Sequence, residues 1–467
     1  MRRERFRRSR MRGWAALGGL VAAALPVAAQ ETAGLPRYSF DIAQRFGASD
    51  NIRLSAPSAG TTLYSDTTFT FGFNSTTRTQ TFSLLLSGVG RVVDDPVLGS
   101  DSGLRDPRID LSYAREGANS RMSLFANYAR PDLAFLDPLQ QAEIDDQDLY
   151  NGAGTREDFA AGFRLETGLH DPLGFEFDIN SRRRSYSNVT DPLLFSNQTD
   201  RASLAAVLRF SRLTEGRLKY SAEHYWAEDV TRTDRDTRRL TFNLSHALSE
   251  TTSLDVDMGY SEVVETFDAL PGVENVTRGP VGAVRLTRQR PNGWVDASLD
   301  TTLSDVGRQT TLEFGRLFRL PASTLEIGIG ATRGQSFDAR PVGLVSYSAD
   351  LPRGSFSAGL SRTVSISDTL SQATETTRAD LGYSVPITDL SALSFNLYYA
   401  DISLVGNNAA GGGRQRGSFY ATYSHDIAPD WDLQIGYEFR YYNPDIGSAA
   451  RSNTVFFGLA RSRSFLR

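Results

Sequence analysis

From Tyr38 onward the chain repeats one pattern: segments of roughly ten residues whose apolar side chains fall on every second position, with polar or charged residues between them. Phe69, Phe71 and Phe73 form one such row, and Phe82, Leu84 and Leu86 another. Phe175, Phe177 and Ile179 enclose Glu176, Asp178 and Asn180, while Leu240, Phe242 and Leu244 are separated by Thr241 and Asn243. The longest run places Trp431, Leu433, Ile435, Tyr437, Phe439 and Tyr441 on one face and Asp432, Gln434, Glu438 and Arg440 on the other. A period of two is that of a β-strand, whose successive side chains point to opposite faces. No stretch of helical periodicity competes with it. A charge on every second residue is costly in the core of a sandwich but is what a barrel with lipid outside and water inside requires.

About 22 such segments can be counted, within a range of roughly 18 to 24, and the connections between them alternate between long and short as an up-and-down membrane barrel demands. Long ones are expected near 47–66, 89–107, 130–156, 181–200, 227–237, 262–278, 366–376, 401–415 and 442–451, with short turns between them, such as Pro291-Asn292-Gly293 and Ala428-Pro429-Asp430. Two links, near 304–308 and 334–340, should be long and are short, so the count there is open by one hairpin. The fold class expected is all-β: a single-domain transmembrane antiparallel barrel over 38–467, preceded by a short periplasmic segment at 30–37 and a signal peptide at 1–29. The leader reading rests on seven arginines among residues 2–12, an apolar run from Trp14 to Leu25, and the small residues of Val27-Ala28-Ala29 before the cleavage point. About 437 mature residues over 22 strands leave roughly 20 per strand, enough for a tilted span, half a turn and half a loop. On this count nothing is left over for a globular plug ahead of the first strand.

Composition narrows the chemistry. The 467 residues contain no cysteine and four histidines, which excludes disulfides, thiol nucleophiles and Cys-based metal sites. Removing residues 1–29 leaves 43 basic side chains against 54 acidic ones, a balance that argues against a nucleic-acid partner. His170 and His425 sit beside Asp171 and Asp426 in short turns, where turn formation explains them. A hairpin centred near residue 231 would set His224 opposite Arg238 and His246 opposite Gly216, with no metal site shared between the two. No arrangement of Ser, His and acid stands out, so no enzyme and no cofactor are expected.

The residues expected to line the lumen are those of the parity opposite to the apolar rows: Glu176, Asp178, Arg217, Lys219, Glu223, Asp255, Asp257, Asp296, Asp300, Glu438 and Arg440. Both signs occur, and the acidic excess tilts the expectation toward a mild cation preference. The acidic run Asp137, Glu143, Asp145, Asp146 and Asp148 in the 130–156 connection is read first as a solvated loop and otherwise as a constriction folded into the pore. Trp226, Trp294 and Trp431 lie where odd-numbered strands begin or end and are candidates for an aromatic girdle.

The opening Tyr38-Ser39-Phe40-Asp41-Ile42-Ala43-Gln44-Arg45-Phe46, followed by Ser49-Asp50-Asn51-Ile52 and by the Thr76-to-Phe82 hairpin, resembles the outer-membrane β-barrel porins of alphaproteobacteria, the group often labelled porin 2. The close match covers the first two hairpins and its motifs are structural, so no functional residue is carried over. The resemblance implies passage of small solutes across the outer membrane of a Gram-negative bacterium, and some relatives accompany exopolysaccharide systems. The reading taken from the residues is a passive diffusion pore, with two alternatives: an exit component for polysaccharide export that works with partner export proteins, and a closed structural or adhesive surface barrel. The partners expected in each case are outer-membrane lipid, lipopolysaccharide and the barrel-assembly machinery.

Overall fold

A computed structural model describes residues 36–97, 99–136, 154–189, 194–367, 372–406 and 413–466. Twenty-two strands run in chain order. The first half comprises β1 (Arg37–Ser49), β2 (Thr62–Thr76), β3 (Gln80–Asp95), β4 (Gly99–Glu116), β5 (Ser120–Ala129), β6 (Thr155–Thr167), β7 (Leu173–Ser187), β8 (Asn197–Arg209), β9 (Thr214–Ala227), β10 (Thr233–Ala247) and β11 (Thr252–Phe267). The second half comprises β12 (Glu274–Arg290), β13 (Gly293–Ser304), β14 (Gly307–Leu320), β15 (Ser323–Gly334), β16 (Arg340–Asp350), β17 (Ser355–Ser367), β18 (Gln372–Thr388), β19 (Ser391–Val405), β20 (Arg414–Ala428), β21 (Trp431–Pro444) and β22 (Ala450–Leu466). Each strand pairs antiparallel with its sequence neighbours, and β1 pairs with β22 from Arg37↔Leu466 to Ser49↔Thr454, which closes the sheet. Closure removes both sheet edges, so every strand has a partner on each side, although at the loop end β4 before Arg108 and β12 before Gly282 are paired on one side only. The count of 22 also settles the two short links: β13 and β14 are joined through 305–306, and β15 and β16 through 335–339.

The two ends of the barrel differ. At one end, with β1's start and β22's finish, the strands are joined by tight turns. Pro291-Asn292-Gly293 is representative: Gly293 takes φ of 133°, and a Cβ there would run into the carbonyl oxygen of Leu317. Only glycine serves that turn. At the other end the connections are generally longer, yet several are shorter than their polar sequences implied. The 89–107 stretch is a tall hairpin in which β3 continues to Asp95 and β4 begins at Gly99, and the 227–237 and 262–278 links narrow to 228–232 and 268–273.

The wall has two faces. Phe40, Phe69, Ile179, Leu204, Leu240, Met258, Leu299, Phe314, Ile329, Leu360, Leu397, Ile435 and Val455 are each at least 41% exposed and share one parity around the ring. That face is the convex one, because side chains of the other parity meet across an intervening strand, which only the concave side of a cylinder permits. Arg217 on β9 reaches Glu176 on β7 at 3.0 Å. Beneath that pair Ala205 and Val207 of β8 are left 3% and 1% exposed.

Candidate functional site

The inner face carries the charges of the middle of the wall, whereas the outer face there is apolar and its charges gather toward the two ends. All eleven residues read from the sequence as lumen candidates stand on the parity opposite to the exposed apolar rows. They are not isolated charges. Between β5 and β9 a lattice runs from Arg121 to Glu166 (3.6 Å), Glu166 to Arg164 (2.7 Å), Arg164 to Glu176 (3.7 Å), Glu176 to Arg217 (3.0 Å), Arg217 to Glu215 (3.6 Å) and Glu215 to Arg209 (3.7 Å). Glu223 is held by Arg201 at 2.5 Å, and the Asn180 side-chain amide donates to Asp178 at 3.1 Å.

The lattice continues around the ring with shorter members. Asp257 interacts electrostatically with Arg239 and Lys219, Asp255 faces Arg285 across β11 and β12, and Asp300 lies in the field of Arg285 and Arg239. Asp296 stands against Gly315 of β14. On β21 the Arg440 guanidinium lies 3.2 Å from Glu438 and donates to the carbonyl oxygen of Ile52 at 3.0 Å, which pins the β1–β2 connection to the inner wall. Such alternation leaves a polar surface with little net field from the residues that pair, so selectivity falls to unpaired excess charge.

A second inner cluster was invisible in the sequence. At the loop end Arg91 grips Asp66 through two hydrogen bonds of 2.8 and 2.9 Å and reaches Asp106 at 3.1 Å. Its guanidinium carbon lies 3.8 Å from the ring centre of Phe135, whose ring in turn meets Tyr64 at 6.0 Å, edge on. The backbone N–H of Asp132 donates to Asp106 at 2.7 Å, and Asp132 forms a β-bridge with Thr155. Residues 131–136, the first part of the β5–β6 connection, therefore fold onto the inner wall, and Leu133 and Ala134 are buried there. No sequence period marks this cluster, because a register shift between Ser87 and Val89 and the left-handed φ of Asp106 (51°) re-aim β3 and β4 just below it. The acidic candidates Asp137, Glu143, Asp145, Asp146 and Asp148 lie outside the described residues.

Two expectations need correction. Trp294 is 3% exposed and shares the parity of Asp296 two residues on, so it faces inward and cannot belong to an outer girdle. Trp226 and Trp431 take the outer parity, and Arg461 lies over the Trp431 ring at 5.2 Å. The hairpin register is also displaced: His224 pairs with Asp236 rather than Arg238, and His246 with Thr214 rather than Gly216.

Solved structures share the fold. The ferric-catecholate import receptor Fiu from E. coli K12 aligns at a TM-score of 0.58 and 11% identity, covering 93% of this chain and 82% of that one. The siderophore receptor PiuA from Acinetobacter baumannii aligns at 0.56 and 10%, covering 94% and 82%. The copper transporter OprC aligns at 0.55 and 11%, covering 93% and 81%. These neighbours are receptors and transporters rather than enzymes, and at such identity they establish the architecture alone. No family model matches the chain, and no curated protein matches it.

Proposed function

We propose that this chain is an outer-membrane pore through which small hydrophilic solutes and ions diffuse. The observation that carries the reading is the two-faced closed wall: an apolar convex surface suited to hydrocarbon and a concave surface dense in paired charges, which keeps an interior wet. The loop end faces outward and both chain ends of the barrel face the periplasm, the arrangement in which long loops are external and turns internal. Lipopolysaccharide surrounds the convex face, the barrel-assembly machinery inserts the chain, and a leader is removed after Ala29. The resemblance of the two opening hairpins to alphaproteobacterial porins supports the same reading.

The inner side supplies the residues of the path. Asp255 and Asp257 share Arg285, Arg239 and Lys219 with Asp300, and this acidic sector gives the pore a mild preference for cations. Replacing both with Arg shifts the reversal potential in a salt gradient toward anion selectivity. An unmoved potential in folded, conducting protein would remove these two residues from the path.

A second reading has its own support. Barrels of 22 strands among outer-membrane transporters carry a plugged lumen, and the neighbours are described as a ferric-catecholate import receptor, a siderophore receptor and a copper transporter. A partner-gated barrel, for uptake or for release of a polysaccharide, would give folded protein that does not conduct alone.

A further inference from the structure

At the loop end, on the convex face, three neighbouring strands bring Asp200 (β8), His224 (β9) and Asp236 (β10) into one cross-strand row. Asp234 lies two residues from Asp236 on the same face. The His224 Nδ1 atom stands 3.1 Å from Asp236 Oδ1 and 3.5 Å from Asp234 Oδ1, and one donor atom from each of the three side chains falls within 4.8 Å of the others. All three are accessible, with side-chain exposures of 36% to 48%.

The two spacings from His224 match those of a coordination sphere. With metal–nitrogen and metal–oxygen bonds of about 2.0 to 2.2 Å, adjacent ligands of a tetrahedral or octahedral ion lie about 3.0 to 3.5 Å apart. Nδ1 already holds that separation from both carboxylates. A neutral imidazole with two carboxylates carries the charge that a dication balances, and its nitrogen favours a first-row transition ion over calcium or magnesium, which prefer oxygen alone. We propose that His224, Asp234 and Asp236 form a surface site for a divalent transition ion, with the remaining coordination positions open to solvent.

The surroundings leave the site free to fill. Asp200 accepts a hydrogen bond from the Gln198 side chain at 2.8 Å and is the next carboxylate in the row. Arg238 is 3.9 Å from Asp236 and 62% exposed, so it competes weakly. Glu262 on β11 is occupied by Arg278 of β12 at 2.8 Å, and Asp268 adds negative field near Asp234.

The test uses the full-length folded barrel in detergent, titrated calorimetrically with zinc chloride in the presence of excess magnesium. One saturable zinc site is expected, with affinity falling at least about tenfold in H224Q and in D236N. Heat-modifiable gel mobility checks that each variant is folded, and the use of two variants guards against the loss of one. Zinc affinity unchanged in both variants, or no saturable binding to the parent, overturns the proposal. Because the site lies on the convex face, the result is independent of whether the barrel conducts.

Discussion

The middle of the wall and its loop end are built on different terms. In the middle, neighbouring strands set apolar residues side by side on the convex face, as in the row Leu218, Phe242 and Met258, and keep charge on the concave one. Toward the loop end that separation dissolves: Asp234, Asp236, Arg238, Glu262 and Arg278 carry the outer parity while Arg235 and Glu265 pair on the inner one at 3.2 Å. In the proposed pore, hydrocarbon covers the convex face of the first region and water reaches both faces of the second. Order at the loop end rests on specific ion pairs and on small buried clusters, such as Phe337, Val364, Ala373 and Val405, rather than on a continuous apolar surface.

Substitutions can break that comparison at either end. Arg91 is 7% exposed in its side chain and pairs with both Asp66 and Asp106, so R91A leaves two enclosed carboxylates without their cation. Its expected cost is about 3 to 5 kcal/mol, read from urea unfolding of vesicle-inserted protein. A loss below about 1 kcal/mol would show that water reaches the pair and that the 131–136 segment stands without it. In the middle, F314R places a charge on the convex face halfway along β14, at an expected cost of about 2 to 4 kcal/mol in the same assay. Val276, at the loop end of β12, has a similar exposure, 45% against 51%, so V276R isolates depth as the variable and should cost about 0 to 1 kcal/mol. Equal costs for the two would mean that the apolar band reaches the loop end. The smallest effect is that of E262Q, which removes a solvent-facing pair with Arg278 whose exposures are 31% and 56%. It should cost about 0.2 to 1 kcal/mol and fade in high salt.

The same division decides what could be read from the chain. Where lipid enforces alternation, as at Phe175, Phe177 and Ile179, the strand, its faces and its inward charges are all legible from a period of two. Where strands outrun the apolar band the period vanishes, which is why Val92 to Leu104 reads as loop although it is mostly ladder. Pairing is more fragile still, since moving the assumed centre of the β9–β10 hairpin by one residue moves every partner by two. That single step hid the approach of His224 to Asp236. Trp294 fails for a different reason: its place at a strand start fits a girdle, but its parity, shared with Asp296, does not. The grip of Arg91 on Asp66, Asp106 and Phe135 has no local signature, because it joins three strands and a loop through a bulge.

The central claim is that the charged concave face encloses a conducting path. Single-channel recording of the refolded mature protein in a planar bilayer tests it most directly, with heat-modifiable gel mobility establishing that the protein is folded. Large, steady, ohmic steps are expected; a folded barrel that passes no current would rule out an open lumen and shift the reading to a plugged or partner-gated barrel.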